Sequence, residues 1–321
     1  MNENTIKIIG SEMSKYLNNY QMIKLNNILY KQIDNSDLDS ISNDDLYNKF
    51  ISTKKLEGVS ELTIKNYRIH LNKFFNYVDK DLRTISTDDI RDYLSYYQSN
   101  TNCCNLTLDG IRRFLSSFFS FLELEDYIIK NPVRRIHKIR IENLIKETYS
   151  DELLELLRNN CNNIRNLAII DLLASSGMRI GELVKLNIDD INFETNSCLV
   201  YGKGRKMREV YFDAKAKLHL KEYINTRTDN NEALFVTRDK PHNRLGIRGI
   251  ELMLQRLGNS IGEDKVHPHK FRRTLATKAI DKGMPIEQVQ RLLGHTKIDT
   301  TLHYAMVNQN NVRISHRKYI C

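Results

Sequence analysis

Six side chains of this 321-residue chain could together cut a phosphodiester: Arg179, Lys203, His269, Arg272, His295 and Tyr304. Attack by a protein hydroxyl gives a five-coordinate phosphorus with negative charge on its non-bridging oxygens, and fixed donors aimed at those oxygens lower the barrier. Arginine suits this task because its planar fork stays charged and can grip two oxygens at once. The nucleophile must shed a proton, as the hydroxyl of Tyr304 can, and the leaving 5′ oxygen needs an acid. In Gly177-Met178-Arg179-Ile180-Gly181-Glu182-Leu183, Arg179 stands at a helix start just after a glycine turn. His269 and Arg272 share a helix face at i and i+3. Leu293-Gly294-His295 puts an imidazole just past a helix end, with Tyr304 nine residues later. Lys203 lies between two glycines at a tight hairpin tip. Each residue alone has a plainer reading. Arg179 could simply pair with Glu182, His269 could cap a helix, Lys203 could be any basic turn, and Tyr304 could be one core aromatic among 16 tyrosines. Their order and spacing give the set its meaning.

The elements that must hold these groups are mostly helical. Residues 1–44 carry Ile9, Met13, Tyr16, Leu17 and Tyr20 at helical spacing, predicting one or two amphipathic helices ending near Asn35-Ser36. This extension is slightly acidic and reads as a packing or protomer-contact segment. In residues 45–130, a Ser60 cap precedes a helix through Tyr67, Leu71, Phe74, Phe75 and Val78. Another helix starts at Thr87-Asp88-Asp89 and runs through Ile90, Tyr93 and Leu94, and a third spans 107–122 with Leu108, Ile111, Leu115, Phe118 and Phe119 inside. Arg112 and Arg113 on that third helix are candidates for phosphate contact. After Pro132 the basic run Arg134, Arg135, Lys138, Arg140 reads as an extended linker over 131–145. Residues 146–321 mix helices with a small sheet. Helices are expected from Ser150, over 166–175 with Gly177 as C-cap, from Pro268, from Pro285 to Gly294, and at Tyr304. Strands are expected at 197–201 and 208–212 around the hairpin at Lys203. The fold class is therefore mainly α: an all-α domain followed by a mostly α domain with a small antiparallel sheet.

Composition narrows the choice less. Net charge is +9, and residues 146–321 hold most of the excess, with 29 basic against 21 acidic side chains. A basic balance suits nucleic acid but is a weak signal alone. The five cysteines are odd in number and contain no CxxC pair, which argues against a disulfide framework or a structural zinc site. No run approaches the roughly 18 apolar residues of a membrane span. The start of the chain lacks the basic-then-apolar order of a signal peptide, so a soluble, cytoplasmic protein is expected.

The ordered set resembles the tyrosine recombinase/integrase (phage integrase) family, in particular its short Xer-like bacterial members, over about residues 45–321. Gly177, Arg179, Glu182 and Leu183 match its first box, and Lys203 matches its hairpin lysine. His269 and Arg272 match its H-x-x-R box, Leu293-Gly294-His295 its third box, and Tyr304 its nucleophile; Thr63 to Tyr67 resembles a segment of its N-terminal domain. The resemblance implies an N-terminal core-binding, SAM-like domain and a catalytic domain of the DNA breaking-rejoining fold. It implies that Tyr304 forms a 3′-phosphotyrosine and frees a 5′-hydroxyl while Arg179 and Arg272 hold the non-bridging oxygens. Lys203 would be the general acid, His269 would assist proton transfer at the tyrosine, His295 would hydrogen-bond the phosphate, and Glu182 would orient its neighbours. No cofactor, ATP or metal is implied, since the ester keeps the bond energy and His267 beside His269 has no further ligand cluster. The implied partners are double-stranded DNA with short inverted-repeat core sites, clamped between the domains, and further copies of the chain in a tetrameric synapse. A second recombinase or an accessory protein remains an option. Arg205 and Arg273 join Arg112, Arg113, Arg134, Arg135 and Lys138 as DNA-binding candidates, Arg273 because it stands where the family often has histidine. Residues 306–321 would dock on a neighbouring protomer through Val312, Ile314 and Ile320. A relaxing type IB-like topoisomerase and a DNA-binding regulator with an idle active site are the rival readings.

Overall fold

A computed structural model describes residues 3–31, 41–141, 147–202, 207–295, 298 and 301–302. Within these the chain is mainly α, with one three-stranded antiparallel sheet. It divides into two compact units, Met1–Asn143 and Leu144–Cys321.

The N-terminal unit holds α1 (Glu3–Met13), α2 (Asn19–Lys31), α3 (Asn43–Leu56), α4 (Glu61–Val78), α5 (Thr87–Thr101) and α6 (Asn105–Leu124). Serine hydroxyls start three of these helices by accepting a backbone N–H: Ser42 for α3, Ser60 for α4 and Ser86 for α5. The helical spacing of apolar residues then gives each a buried stripe. Phe50 of α3, Leu71 and Phe74 of α4, Tyr93 of α5 and Leu115, Phe118 and Phe119 of α6 meet in one core. Its rings pack edge to face, as between Phe50 and Phe118 at 5.2 Å.

Two expectations for this unit need correction. In the segment that holds α1 and α2, Ile9, Met13 and Leu17 of the expected stripe are half-buried beside buried Ile6 and Met22, but Tyr16 and Tyr20 are exposed, so the packed face does not run through them. The run after Asn131 is not simply extended. Pro132–Arg135 form a 3-10 turn capped by the Asn131 side chain, with Pro132 and Val133 buried, and Ile136 and Ile139 pack against the helical core. Proline at the first position of a turn loses no hydrogen bond, which favours the turn over an extended strand.

The C-terminal unit holds α7 (Asp151–Asn159), α8 (Ile164–Ser176), α9 (Ile180–Leu183), β1 (Ile191–Asn192), β2 (Ser197–Tyr201), β3 (Met207–Tyr211), α10 (Ala214–Asn225), α11 (Ile247–Ser260), α12 (Pro268–Asp281) and α13 (Ile286–Leu293). Helix α8 is apolar on several sides, with Ile169, Ile170, Leu172 and Leu173 all buried, and α10 and α12 pack against it. The sheet runs in the order β1-β2-β3, and Val200 sits opposite Arg208 in the β2–β3 register. Strand β1 is too short to show alternation in the sequence, and its Ile191 joins the core.

Candidate active site

Helix ends build this site. Helix α8 stops at Gly177, whose φ of 61° lies in the left-handed region and whose Cβ, if present, would sit 2.6 Å from Cδ2 of Leu275. The chain turns and restarts as α9, with Arg179 as the capping residue and Glu182 in its first turn. Glu182 is 4% exposed, and its Oε2 accepts the Arg179 backbone N–H at 2.8 Å. Helix α12 begins with Pro268 at its first position and carries His269 outward and Arg272 inward, the latter 4% exposed. Helix α13 ends at Gly294, again left-handed with φ 63°.

The last carbonyls of a helix have no intrahelical donor and lie at the negative end of its dipole. Three consecutive carbonyls at the end of α13 each accept a different guanidinium. Leu292 accepts Nε of Arg208 at 3.3 Å, Leu293 accepts Nη2 of Arg272, and Gly294 accepts Nη2 of Arg179 at 3.3 Å. Arg272 also donates Nη1 to the Gly177 carbonyl at 2.7 Å, tying the end of α8 to the end of α13. Glu182 lies between two of these cations. Arg208 grips both its oxygens, at 2.6 and 2.7 Å, and Arg179 Nη1 reaches Oε1 at 3.0 Å. Burial pushes the Glu182 carboxyl upward, but the Arg208 and Arg179 bonds outweigh it and hold it below the usual range.

The histidines register the same positive field. Desolvation first, then Arg272, Arg179 and Arg208, push His295 down to about 4, so its imidazole is neutral at pH 7. Its Nδ1 meets Thr301 Oγ1 at 2.8 Å, and Gln290 holds its backbone on both sides, accepting its N–H at 3.1 Å and donating Nε2 to its carbonyl at 3.0 Å. Partial desolvation, then Arg272, Arg179 and Arg273, also lower His269. Three guanidiniums against one carboxylate make this a place for an anion, and fixed arginines beside the neutral His295 are what a phosphodiester in reaction needs.

The chain matches the phage integrase family over residues 143–311 and the phage integrase N-terminal SAM-like domain over residues 46–129. It belongs to that family, the tyrosine recombinases. Tyrosine recombinase XerC of Leptospira interrogans is 31% identical over 286 residues, 84% of this chain and 91% of the relative. Tyrosine recombinase XerA of Pyrococcus horikoshii is 28% identical over 277 residues, covering 86% and 93% of the two chains. The fold is shared with XerH site-specific recombinase bound to palindromic difH substrate, with a TM-score of 0.69 and 22% identity over 97% of this chain and 93% of that one. It is also shared with a lambda integrase dimer bound to a COC′ core site, with a TM-score of 0.68 and 16% identity over 89% and 85%.

In this recombinase the helix ends bring Arg179, Glu182, Arg272 and His295 into one network, with His269 close enough to feel its arginines. Lys203, Arg205 and Tyr304 lie outside the described residues, as do the helix expected at Tyr304 and the apolar tail contacts Val312, Ile314 and Ile320. The remaining DNA-binding candidates do not behave alike. Arg112 is drawn onto buried Asp109 at 2.8 Å, and Asp109 also accepts the Ile139 backbone N–H at 3.2 Å, so Arg112 helps fix the segment after α6. Arg113 reaches the same carboxylate at 3.4 Å but is exposed, and Arg134 pairs with Glu123 at 2.9 Å. Arg135 and Lys138 are exposed. Arg273 is half-buried, and its Nε is enclosed with no hydrogen-bond partner among the described residues.

The residue that sequence reasoning missed is Arg208. Its signal was available, because Arg208 and Val210 of β3 alternate in phase with Phe212 just beyond it, and the other two are buried. A cation on the core-facing phase of a strand calls for a buried counter-charge.

Proposed function

We propose that the chain is a site-specific recombinase that cuts and rejoins double-stranded DNA through a 3′-phosphotyrosine formed by Tyr304. The observation that supports this best is the meeting of Arg179 and Arg272 on the carbonyls of Gly177, Leu293 and Gly294, beside a neutral His295. In this reading the Tyr304 oxygen attacks the scissile phosphorus and loses its proton with help from His269. Arg179 and Arg272 take the charge on the non-bridging oxygens, and His295 hydrogen-bonds one of them. Lys203 gives its proton to the departing 5′ oxygen. The phosphotyrosine conserves the energy of the broken ester. The 5′-hydroxyl of a second duplex can therefore displace Tyr304 without ATP, giving a Holliday junction that a second round of exchange resolves.

Residues 45–130 would form the core DNA-binding domain, 131–145 a basic connector and 146–321 the catalytic domain, with 1–44 as a helical extension. Arg113, Arg134, Arg135 and Lys138 are the DNA-binding candidates whose exposure suits phosphate contact. The substrate would be a short inverted repeat, bound by copies of the chain that meet as a tetramer through residues 306–321. The chain would act in the cytoplasm.

The test is a plasmid carrying two inverted copies of the site at which the chain cuts DNA. Inversion of the interval is expected. Relaxation of supercoils without inversion would replace this reading with a topoisomerase. DNA binding without either product would replace it with a regulator.

A further inference from the structure

Arg208 has no part in the chemistry just described, yet it grips the buried Glu182 with both terminal nitrogens. We propose that Arg208 is a positioning residue for strand cleavage: it neutralises Glu182 so that the guanidinium of Arg179 is left to bind the scissile phosphate. The inference rests on the proposed phosphodiester chemistry and deepens it.

The geometry separates the two arginines by task. Arg208 meets Glu182 with both terminal nitrogens, Nη1 to Oε1 at 2.6 Å and Nη2 to Oε2 at 2.7 Å, whereas Arg179 offers a single side-chain bond of 3.0 Å to Oε1. Arg208's remaining nitrogen, Nε, donates to the Leu292 carbonyl at 3.3 Å. Gly294 presses on the same side chain, since a Cβ there would lie 2.8 Å from Arg208 Cδ. Every nitrogen of Arg208 is thus committed to the protein, and its side chain is 14% exposed against 36% for Arg179. Arg208 is turned inward and Arg179 partly outward, as expected if only the second meets a ligand.

The consequence follows from electrostatics. A carboxylate that is 4% exposed cannot stay charged without compensation. Without Arg208, its one remaining cationic partner among the described residues is Arg179. A two-pronged pair of Arg179 with Glu182 would take donors that a phosphate would otherwise receive. Arg208 also fastens β3, the strand that follows Lys203 in the chain, to the end of α13.

The experiment measures single-turnover cleavage of a nicked duplex carrying the mapped site, at saturating protein, for wild type, Arg208→Met, Glu182→Gln and the double variant. Arg208→Met is expected to slow cleavage by about ten- to a hundredfold, less than the roughly hundred- to thousandfold of losing a fixed donor outright, because Arg179 itself remains. DNA affinity should change little, while the melting temperature should fall, because a buried carboxylate loses one of its two cations. In the Glu182→Gln background the same substitution should cost about threefold or less, because no buried charge then competes for Arg179. If Arg208→Met does not fold, Arg208→Lys carries the test, since it keeps the charge without the two-pronged grip and should show the same dependence on Glu182. Equal losses in both backgrounds, or no loss at all, with an active wild type would overturn this inference alone. Failure of wild type to cleave would overturn the functional reading and this inference with it.

Discussion

At the scale of single residues, the site is made by giving backbone carbonyls to arginines. Arg272 is held by Gly177 and Leu293, and Arg179 by Gly294 and Glu182. This cationic ring sets the state of His295, whose imidazole falls from 6.5 to about 4 through desolvation and then through Arg272, Arg179 and Arg208. The unfolded chain therefore binds a proton at this residue as pH drops below about 6.5, while the folded chain refuses it until about 4. Stability should fall across that window for this reason alone. In urea denaturation, His295→Gln should lose less stability than wild type between those two pH values, and identical slopes would contradict the assignment. Arg179, His269, Arg272 and His295 could be proposed from the sequence because each sits in a short local motif, Arg179 with Glu182, His269 with Arg272 and His295 with Gly294. Arg208 was not singled out because its partner Glu182 lies 26 residues away and pairing is settled only by the fold.

At the scale of elements, the sequence was most readable where chemistry is local. The serine caps of α3, α4 and α5, the proline starts of α12 and α13, and the glycine ends of α8 and α13 all follow from what one or two residues do to nearby backbone. Reading failed where tertiary packing chose between equivalent patterns. The spacing of Tyr16 and Tyr20 fits a buried stripe as well as an exposed one, and α1 and α2 bury Ile6 and Met22 instead. The two-residue strand β1 carries no periodicity to detect. Gly294 gives the sharpest test at this scale. An alanine there must adopt φ near 63° and push its Cβ against Arg208. Gly294→Ala should cost about 1–2 kcal/mol from the left-handed backbone alone. It should also slow cleavage, because Arg208 must move from Leu292 and Glu182. A variant as stable and as fast as wild type would show that neither the turn nor the contact matters.

At the scale of the whole chain, the two compact units answer to two sequence signals of different quality. The aromatic and apolar repeats of residues 46–129 specify helices and a core without revealing a task, whereas the match over 143–311 holds the boxes to which the proposal assigns the chemistry. Residues 146–321 also hold most of the positive excess, as an enzyme acting on phosphates would need. The central claim is that Tyr304 becomes covalently joined to DNA. Its most direct test mixes the purified chain with lightly nicked DNA from its own cell. A nick beside the scissile phosphate lets the short 5′-hydroxyl strand diffuse away and traps the intermediate. Detergent denaturation and mass spectrometry of the peptides would then be expected to find a nucleotide on Tyr304, joined through a 3′ phosphate and missing from Tyr304→Phe. No adduct in the wild type, or one that survives in Tyr304→Phe, would contradict the account.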